Sequence, residues 1–180
     1  ALARLRSRAT TATNRQPVDE WLGSFAEQWR LRHPHVKFER LGAPPADVSL
    51  DDTVAVSQIL TILLDNAARA SRDHVTLSCR LTARGDQIEF EVCDAGPGIP
   101  AALRGSLGAM PVDSTQGGHG VGLYLAFSAA ARLKGSIELT DVNATQPRGT
   151  RAVLRLPLTG RKSSGPGRQG AAPSNTEKQA

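Results

Sequence analysis

The sequence predicts an α/β fold, a two-layer sandwich in which helices cover one face of a mixed, mostly antiparallel sheet. Segments with apolar residues at helical spacing are interspersed with short segments in which apolar and polar residues alternate. The strand-like segments mostly come in pairs joined by short turns, which favours antiparallel neighbours. Residues 95–117 show neither the helical spacing nor the strand alternation of apolar residues. A loop of over twenty residues in a compact domain is usually functional or mobile.

The first part of the chain is predicted to contain two helices with strand structure between them. The first helix begins at Pro17 and ends near Pro34. The segment His35–Arg40 alternates as a strand does, and Asp51 or Asp52 caps the second helix. The apolar residues at helical spacing are Trp21, Leu22, Phe25 and Trp29 in the first helix and Val56, Ile59, Leu60, Leu63, Leu64 and Ala67 in the second.

A hairpin follows, in which the strands His74–Ala83 and Gln87–Asp94 are joined by a turn at Arg84–Asp86. Asp94 falls on the same face of its strand as the apolar residues before it, such as Val92. A carboxylate that points into a core is costly unless it is paired. Either a ligand binds Asp94, or the strand ends one residue early and Asp94 caps a turn.

The last elements are a third helix from about Gly120 to Leu133, which Gly135 stops, and a closing hairpin. The hairpin strands are Ser136–Thr140 and Thr150–Leu156. The predicted order is therefore roughly α-β-β-α-β-β-loop-α-β-β.

The formal net charge of +5 comes from the two ends of the chain. Residues 1–16 carry four arginines and no acid, and residues 159–180 carry four basic residues against one acid, so the segment between them is slightly acidic. We predict a linker or helix end at 1–16, one domain at 17–158 and a disordered basic tail at 159–180. Nucleic-acid-binding domains usually carry a basic stripe with interleaved aromatic residues, and aromatic residues make up only 4% here. No specific nucleic-acid binding is expected, although weak contact by the tails stays open.

No apolar run is long enough to cross a membrane and no segment resembles a signal peptide, so the chain alone is expected to be soluble. Cys79 and Cys93 lie in predicted strands, without a CxxC pair or a flanking histidine. This favours buried thiols of a reducing compartment over metal ligands or a disulfide framework. A disulfide between the two cysteines across neighbouring strands stays open.

Three segments have residues suited to a nucleotide. Asn66 and Arg69 lie near one face of the apolar helix segment Leu63-Leu-Asp-Asn-Ala-Ala-Arg-Ala-Ser71, Asp94-Ala-Gly-Pro-Gly98 ends a strand, and Gly117-Gly-His-Gly-Val-Gly122 begins a helix. Glycines at a helix start let backbone N–H groups approach a phosphate. Each segment alone is weak evidence, since a solvated helix face or an ordinary turn would look the same. The third segment follows a loop and lacks a Lys-Ser/Thr ending, which argues against a Rossmann fingerprint and a P-loop.

Together, in this order and spacing, the three segments resemble the N, G1 and G2 boxes of the GHKL superfamily, which includes DNA gyrase, Hsp90, MutL and the histidine kinases. The resemblance covers roughly residues 58–158. Its details are most similar to the sensor histidine kinases, whose N box has a sequence close to Gln58–Ala67. Trp21, the segment Trp29–Pro34 and the N-box ending Asn66–Ser71 look most like the redox-responsive RegB/PrrB-type subgroup.

The resemblance implies the Bergerat ATP-binding fold, with ATP and Mg²⁺ as ligands and residues 95–117 as a mobile lid over the nucleotide. Asp94 would accept a hydrogen bond from the adenine amino group, because an ionised carboxylate accepts and cannot donate. Asn66 would be the catalytic metal ligand, a hard oxygen suited to Mg²⁺. The cofactor-binding residues implied are Asn66, Arg69, Ala70, Asp94, Gly96, Gly98, Ile99, Gly118, His119, Gly120, Val121, Gly122, Leu123 and Thr150.

Two positions depart from the family pattern. Four residues before Asn66, where many relatives have a polar residue, this chain has Ile62, which cannot act as a general base. Gyrase- and Hsp90-type ATPases have a glutamate there that activates water, so a self-contained ATP hydrolase is disfavoured. The lid segment Pro111–Gln116 also lacks the lysine found in related kinases, which removes one possible phosphate contact.

The resemblance therefore implies the catalytic domain of a two-component sensor histidine kinase. It would transfer the γ-phosphoryl group of ATP to a histidine on a phosphoacceptor and dimerisation domain absent from this chain, for relay to a response regulator. The parent protein would be a homodimer anchored in the bacterial inner membrane, with this domain, monomeric alone, in the cytoplasm. A degenerate nucleotide-dependent binding module without kinase activity is the alternative.

None of the four histidines lies in a phosphoacceptor motif. We expect His33, His35 and His74 to be surface residues, whereas a phosphate contact by His119 stays open. We also expect residues 101–116 of the lid to be poorly ordered or displaced when nucleotide is absent, because they have few large apolar anchors.

Overall fold

The computed structural model describes residues 16–45, 47–99, 121–142 and 149–158. The predictions for residues 1–15, for the lid residues 101–116, for Gly118, His119 and Gly120 and for the C-terminal tail 159–180 lie outside these residues. The helices are α1 (Val18–Arg32), α2 (Thr53–Ala70) and α3 (Val121–Arg132), and the strands are β1 (Gln16–Pro17), β2 (Phe38–Leu41), β3 (Ser49–Leu50), β4 (Val75–Leu81), β5 (Gln87–Asp94), β6 (Ser136–Asp141) and β7 (Thr150–Pro157).

The main sheet has five strands in the order β2-β4-β5-β7-β6. β2 runs parallel to β4, and the other neighbouring pairs are antiparallel. A separate two-stranded pairing joins β1 to β3. This arrangement confirms the predicted α/β fold with a mixed, mostly antiparallel sheet.

One face of the sheet is apolar and forms the core with the helices. Its central strands contribute Ile88, Phe90 and Leu154, which are fully buried. The α1 helix belongs to the same core, because the ring of Trp21 packs edge-on against Phe90 with a centroid distance of 5.9 Å. Burying a large apolar side chain stabilises a fold by roughly 1.5–3 kcal/mol. These contacts hold α1 against the central strands of the sheet.

The opposite face of the sheet carries a ladder of charged side chains. Glu89 in β5 accepts hydrogen bonds from Arg80 Nε in β4 at 2.8 Å and from Arg155 Nε in β7 at 2.6 Å. Arg155 also donates to Glu138 in β6 at 2.7 Å. Four adjacent strands are thereby joined by side-chain bonds across this face. The neighbouring Val153 is fully buried even though it lies on this face, because long charged side chains cover apolar surface with their stems.

Most helix and strand bounds match those predicted from the sequence, with two informative differences. The strand predicted from residue 35 begins only at Phe38, because Val36 N–H donates to His33 O at 3.1 Å and closes a turn there. The third helix ends at Arg132, and the residue in left-handed conformation after it is Lys134, with φ 57°, not the predicted stop Gly135. Gly135 instead allows a close approach, since a Cβ there would lie 2.4 Å from Arg155 O.

The two cysteines lie on opposite faces of the sheet, which closes the question of a disulfide between them. Cys79 faces the core, where its strand partner is Phe90, and Cys93 lies on the charged face opposite Thr76. Both thiols are free.

Candidate functional site

The ends of α2 and β5 and the beginning of β7 meet at Asp94. The Asp94 side chain points into the core, and the residue is only 7% exposed. Its Oδ1 accepts from Gly96 N–H at 2.7 Å and from Thr150 N–H at 3.1 Å. The strand therefore does not end early, yet Oδ1 also caps the turn that follows it. Within the described part of the chain, Oδ2 accepts no hydrogen bond.

Gly96 brings this turn directly onto the end of α2. A Cβ at this position would lie 2.9 Å from both Cβ and O of Ala70 and 2.9 Å from Asp94 Oδ1. A larger residue would push the turn away from the helix. Gly98 has φ 82°, in the left-handed region that glycine adopts without strain. The G1 segment thus lies against the last turn of the helix that carries Asn66.

Two contacts that the sequence did not indicate hold the same turn from the β6–β7 side. Gly149 N–H donates to Gly96 O at 2.6 Å, and a Cβ on Gly149 would lie 2.2 Å from Asp94 O. Ile99 N–H donates to Asp141 Oδ1 at 3.1 Å. These pairs are separated by more than forty residues, so no local sequence pattern could reveal them.

Asn66 and Arg69 lie on one side of α2 and contact each other. Arg69 Nη2 donates a hydrogen bond to Asn66 Oδ1. The other end of the amide, Asn66 Nδ2, is buried and has no hydrogen-bond partner among the described residues. A buried amide donor without a partner costs free energy, so this atom is suited to meet an acceptor from a ligand.

The neighbouring Asp65 is directed to the other side of the helix, towards α1. Its Oδ1 accepts from Trp29 Nε1 at 2.8 Å and lies 3.2 Å from His33 Nε2. The rings of Trp29 and His33 stack at a centroid distance of 4.2 Å. The stacking of Trp29 on His33 matches their spacing of one helical turn, but nothing in the sequence indicated the contact with Asp65. His33 is therefore partly buried against Asp65, not a plain surface residue.

The start of α3 lies against α2 one turn before Asn66. A Cβ on Gly122 would be 3.5 Å from Ile62 Cγ2, and Leu123 packs against the core. Val121 is 39% exposed at the first position of the helix. Ile62 therefore lies beside the start of α3, at the position that is polar in many members of the family the sequence resembles.

Outside this site, the shifted pKa values of Cys79, Cys93 and Glu89 are explained by burial and by neighbouring charges. Burial raises the pKa of the Cys79 thiol to about 12. Burial and the nearby carboxylate of Glu91 raise the pKa of Cys93 to about 11. Both thiols are therefore protonated and weakly nucleophilic near neutral pH. Burial raises the pKa of the Glu89 carboxyl, but hydrogen bonds from Arg155 and Arg80 outweigh it, so the pKa lies below its usual value.

Comparison with known proteins places this arrangement in a family. Residues 51–160 match the family model described as histidine kinase-, DNA gyrase B-, and HSP90-like ATPase. The nitrogen regulation protein NtrY of Azorhizobium caulinodans is 32% identical over 158 residues, which is 84% of this chain and 20% of NtrY. The sensor histidine kinase DpiB of Escherichia coli is 34% identical over 113 residues, which is 59% of this chain and 20% of DpiB. The chain thus spans about a fifth of the length of these relatives.

Solved structures share the fold. The mycobacterial sensor histidine kinase MprB superposes with a TM-score of 0.63 at 22% identity, over 80% of this chain and 97% of that one. Full-length ShkA in complex with AMPPNP superposes with a TM-score of 0.66 at 21% identity, over 81% of this chain and 31% of ShkA. No helix within the described ranges combines the length and the apolar character needed to cross a membrane.

Proposed function

Because this chain belongs to the family of histidine kinase-, DNA gyrase B- and HSP90-like ATPases, we propose that it is the ATP-binding catalytic domain of a sensor histidine kinase. It transfers the γ-phosphoryl group of ATP to a histidine on a dimerisation domain outside this chain, for relay to a response regulator. The observation that supports this most directly is the buried Asp94 carboxylate at the end of β5, whose Oδ2 accepts no hydrogen bond from the described residues.

Asp94 provides the specificity for adenine. Because Gly96 and Thr150 N–H groups fix Oδ1, the carboxylate has one orientation, and Oδ2 accepts from the exocyclic amino group of the base. Guanine presents a carbonyl oxygen at the corresponding position, which a carboxylate repels. The turn at Gly96 and Gly98 and the end of α2 at Ala70 line this side of the base.

The phosphate end of the nucleotide lies along α2 towards the start of α3. Asn66 Oδ1 is a hard oxygen ligand of the kind that Mg²⁺ prefers. Its Nδ2, which has no partner among the described residues, donates to a phosphate oxygen in this proposal. Arg69 neutralises phosphate charge, and the N–H groups at the start of α3 bind phosphate oxygens. When bound, Mg²⁺ supplies charge neutralisation for the transferring phosphoryl group.

The absence of a base at residue 62 fits transfer to another domain and not hydrolysis. Ile62 cannot activate water, and its methyl group packs near Gly122. In phosphoryl transfer the protein mainly positions groups and stabilises charge, so a domain without its own nucleophile is chemically reasonable. We expect the isolated chain to hydrolyse ATP slowly.

The parent protein, as we propose it, is a homodimer anchored in the bacterial inner membrane with this domain in the cytoplasm. Membership of the redox-responsive subgroup stays a prediction. The two thiols give it no support, because their raised pKa values make both poorly reactive near neutral pH.

Phosphotransfer in trans tests the proposal. The chain is mixed with γ-labelled ATP, Mg²⁺ and the separately produced dimerisation domain of the parent kinase, and label on the histidine is followed over time. Kinase function predicts label that depends on both proteins and is strongly reduced by Asp94→Asn. Tight ATP binding without any transfer would indicate the nucleotide-dependent binding module instead.

A further inference from the structure

The acceptor oxygen of Asn66 is already occupied in the structure. Arg69 Nη2 donates to Asn66 Oδ1, the only atom of this side chain that can bind a cation. The donor end of the same amide, Nδ2, is buried and unpartnered within the described residues. The Arg69 guanidinium therefore occupies the atom of Asn66 that could bind a metal, and the Nδ2 donor makes no hydrogen bond within the described residues.

The side chains around this pair leave Arg69 no stronger acceptor on α2. Asp65, the adjacent carboxylate, faces α1, where Trp29 Nε1 donates to its Oδ1 at 2.8 Å and His33 lies 3.2 Å away. Ile62, one turn before Asn66, offers no polar atom. A neutral amide oxygen is thus the hydrogen-bond partner of Arg69 among the described residues.

We propose that Arg69 and Asn66 exchange partners when the metal–nucleotide complex binds. Arg69 leaves Asn66 for a phosphate oxygen, Asn66 Oδ1 becomes a metal ligand, and Nδ2 gains an acceptor on the nucleotide. In the nucleotide-free domain Arg69 blocks Asn66 Oδ1. The site therefore favours the complete metal–nucleotide complex over the metal or the nucleotide alone. This inference rests on the proposed function and adds a coupling within the site.

Simple electrostatics makes the exchange favourable in one direction. A guanidinium–phosphate hydrogen bond joins two opposite charges and can be bidentate, whereas the bond to Asn66 has a charged group on one side only. Arg69 therefore gains when it moves from the Asn66 amide to a phosphate. A divalent cation at Asn66 Oδ1 also repels the guanidinium, which prevents the original bond from persisting. If Arg69 instead stayed on Asn66 to hold it towards the metal, the two side chains would support each other in the bound state.

A double-mutant cycle separates these two arrangements by the sign of the coupling. Asn66→Ala, Arg69→Ala and the double variant are titrated calorimetrically with ATP in Mg²⁺ and with ATP in EDTA. In the wild type, binding of the metal–nucleotide complex must break the Asn66–Arg69 bond. We therefore expect Asn66→Ala to weaken MgATP binding more in the Arg69→Ala background than in the wild type, by an extra factor of roughly 3–10.

The same cycle applied to urea unfolding of the nucleotide-free protein checks the starting state. In the nucleotide-free protein the Asn66–Arg69 bond should stabilise the fold, so the two substitutions should be coupled by roughly 2- to 10-fold in the unfolding equilibrium constant. Arg72→Ala is the matched control for loss of an exposed positive charge beyond the end of α2, and it should show no coupling to Asn66 in either cycle.

Failure of this inference is distinguishable from failure of the proposed function. Wild-type protein that binds ATP neither with nor without Mg²⁺ overturns the proposed function, and the exchange with it. Normal MgATP binding with an additive cycle, or with Asn66→Ala less costly in the Arg69→Ala background, overturns the exchange alone. Absence of coupling in the nucleotide-free unfolding cycle also overturns the exchange.

Discussion

Replacing Glu89 by glutamine should destabilise the fold in a way that depends on pH. The Glu89 side chain is 9% exposed and accepts from Arg80 Nε at 2.8 Å and Arg155 Nε at 2.6 Å. Glutamine keeps the shape but loses the charge. Hydrogen bonds to charged groups contribute about 1.5–3 kcal/mol each, and both arginines retain some access to water. We therefore expect Glu89→Gln to lower the free energy of unfolding by about 1–3 kcal/mol at pH 7.

The pH dependence follows from the lowered pKa of this carboxyl. Hydrogen bonds from Arg155 and Arg80 outweigh the effect of burial, so the folded-state pKa of Glu89 lies below its unfolded value. The stabilisation is fully present above the unfolded pKa of about 4.3 and is lost as the pH falls through the folded pKa. The difference between wild type and Glu89→Gln should therefore shrink on acidification below about pH 4.5.

Urea unfolding at pH values from 7 down to 3.5, followed by tryptophan fluorescence, measures this difference. Glu138→Gln is the matched control, because Glu138 also pairs with Arg155 but its side chain is 49% exposed. An exposed pair contributes about 0–1 kcal/mol, so the control should change little. Equal losses in the two variants, or a Glu89→Gln deficit that stays constant down to pH 3.5, would refute the assigned role of the buried carboxylate.

Three further predictions concern packing and reactivity. Gly96→Ala places a Cβ 2.9 Å from the end of α2, so it should cost about 1–3 kcal/mol of stability and weaken ATP binding, both measurable by calorimetry. Trp29→Phe removes the 2.8 Å bond to Asp65 and part of a fully buried ring, so it should cost about 1–3 kcal/mol in urea unfolding while ATP affinity stays unchanged in the folded protein. Thiol alkylation should be slow at pH 7.5 and should accelerate with pH, first at Cys93 and then at Cys79, as peptide mass spectrometry can follow.

The parts of the fold that depend on local sequence were predictable. Asp52 caps α2, where its Oδ1 accepts from Ala55 N–H at 2.9 Å, and this signal needs only neighbouring residues. The inward direction of Asp94 followed from strand alternation alone. The family resemblance added the proposed role of this carboxylate, which no pattern of spacing could supply.

The contacts that the sequence did not reveal join residues far apart in the chain. The bond from Trp29 to Asp65 spans 36 residues, and Thr150 N–H reaches Asp94 across 56 residues. Glu89 is buried because arginines from two neighbouring strands surround it, which depends on strand order and register. Strand alternation puts Glu89 on the outer face, but it does not show which side chains of the neighbouring strands cover this carboxylate.

The central claim is that Asp94 recognises adenine, and calorimetric titration of Asp94→Asn with ATP tests it most directly. The two N–H groups on Oδ1 should hold the amide oxygen of asparagine in that place, so its NH₂ group would face the adenine amino group, donor against donor. We expect the folded variant to lose about 10- to 150-fold in ATP affinity, with a smaller loss or a gain for GTP. A folded Asp94→Asn protein that binds ATP as the wild type does would contradict the account.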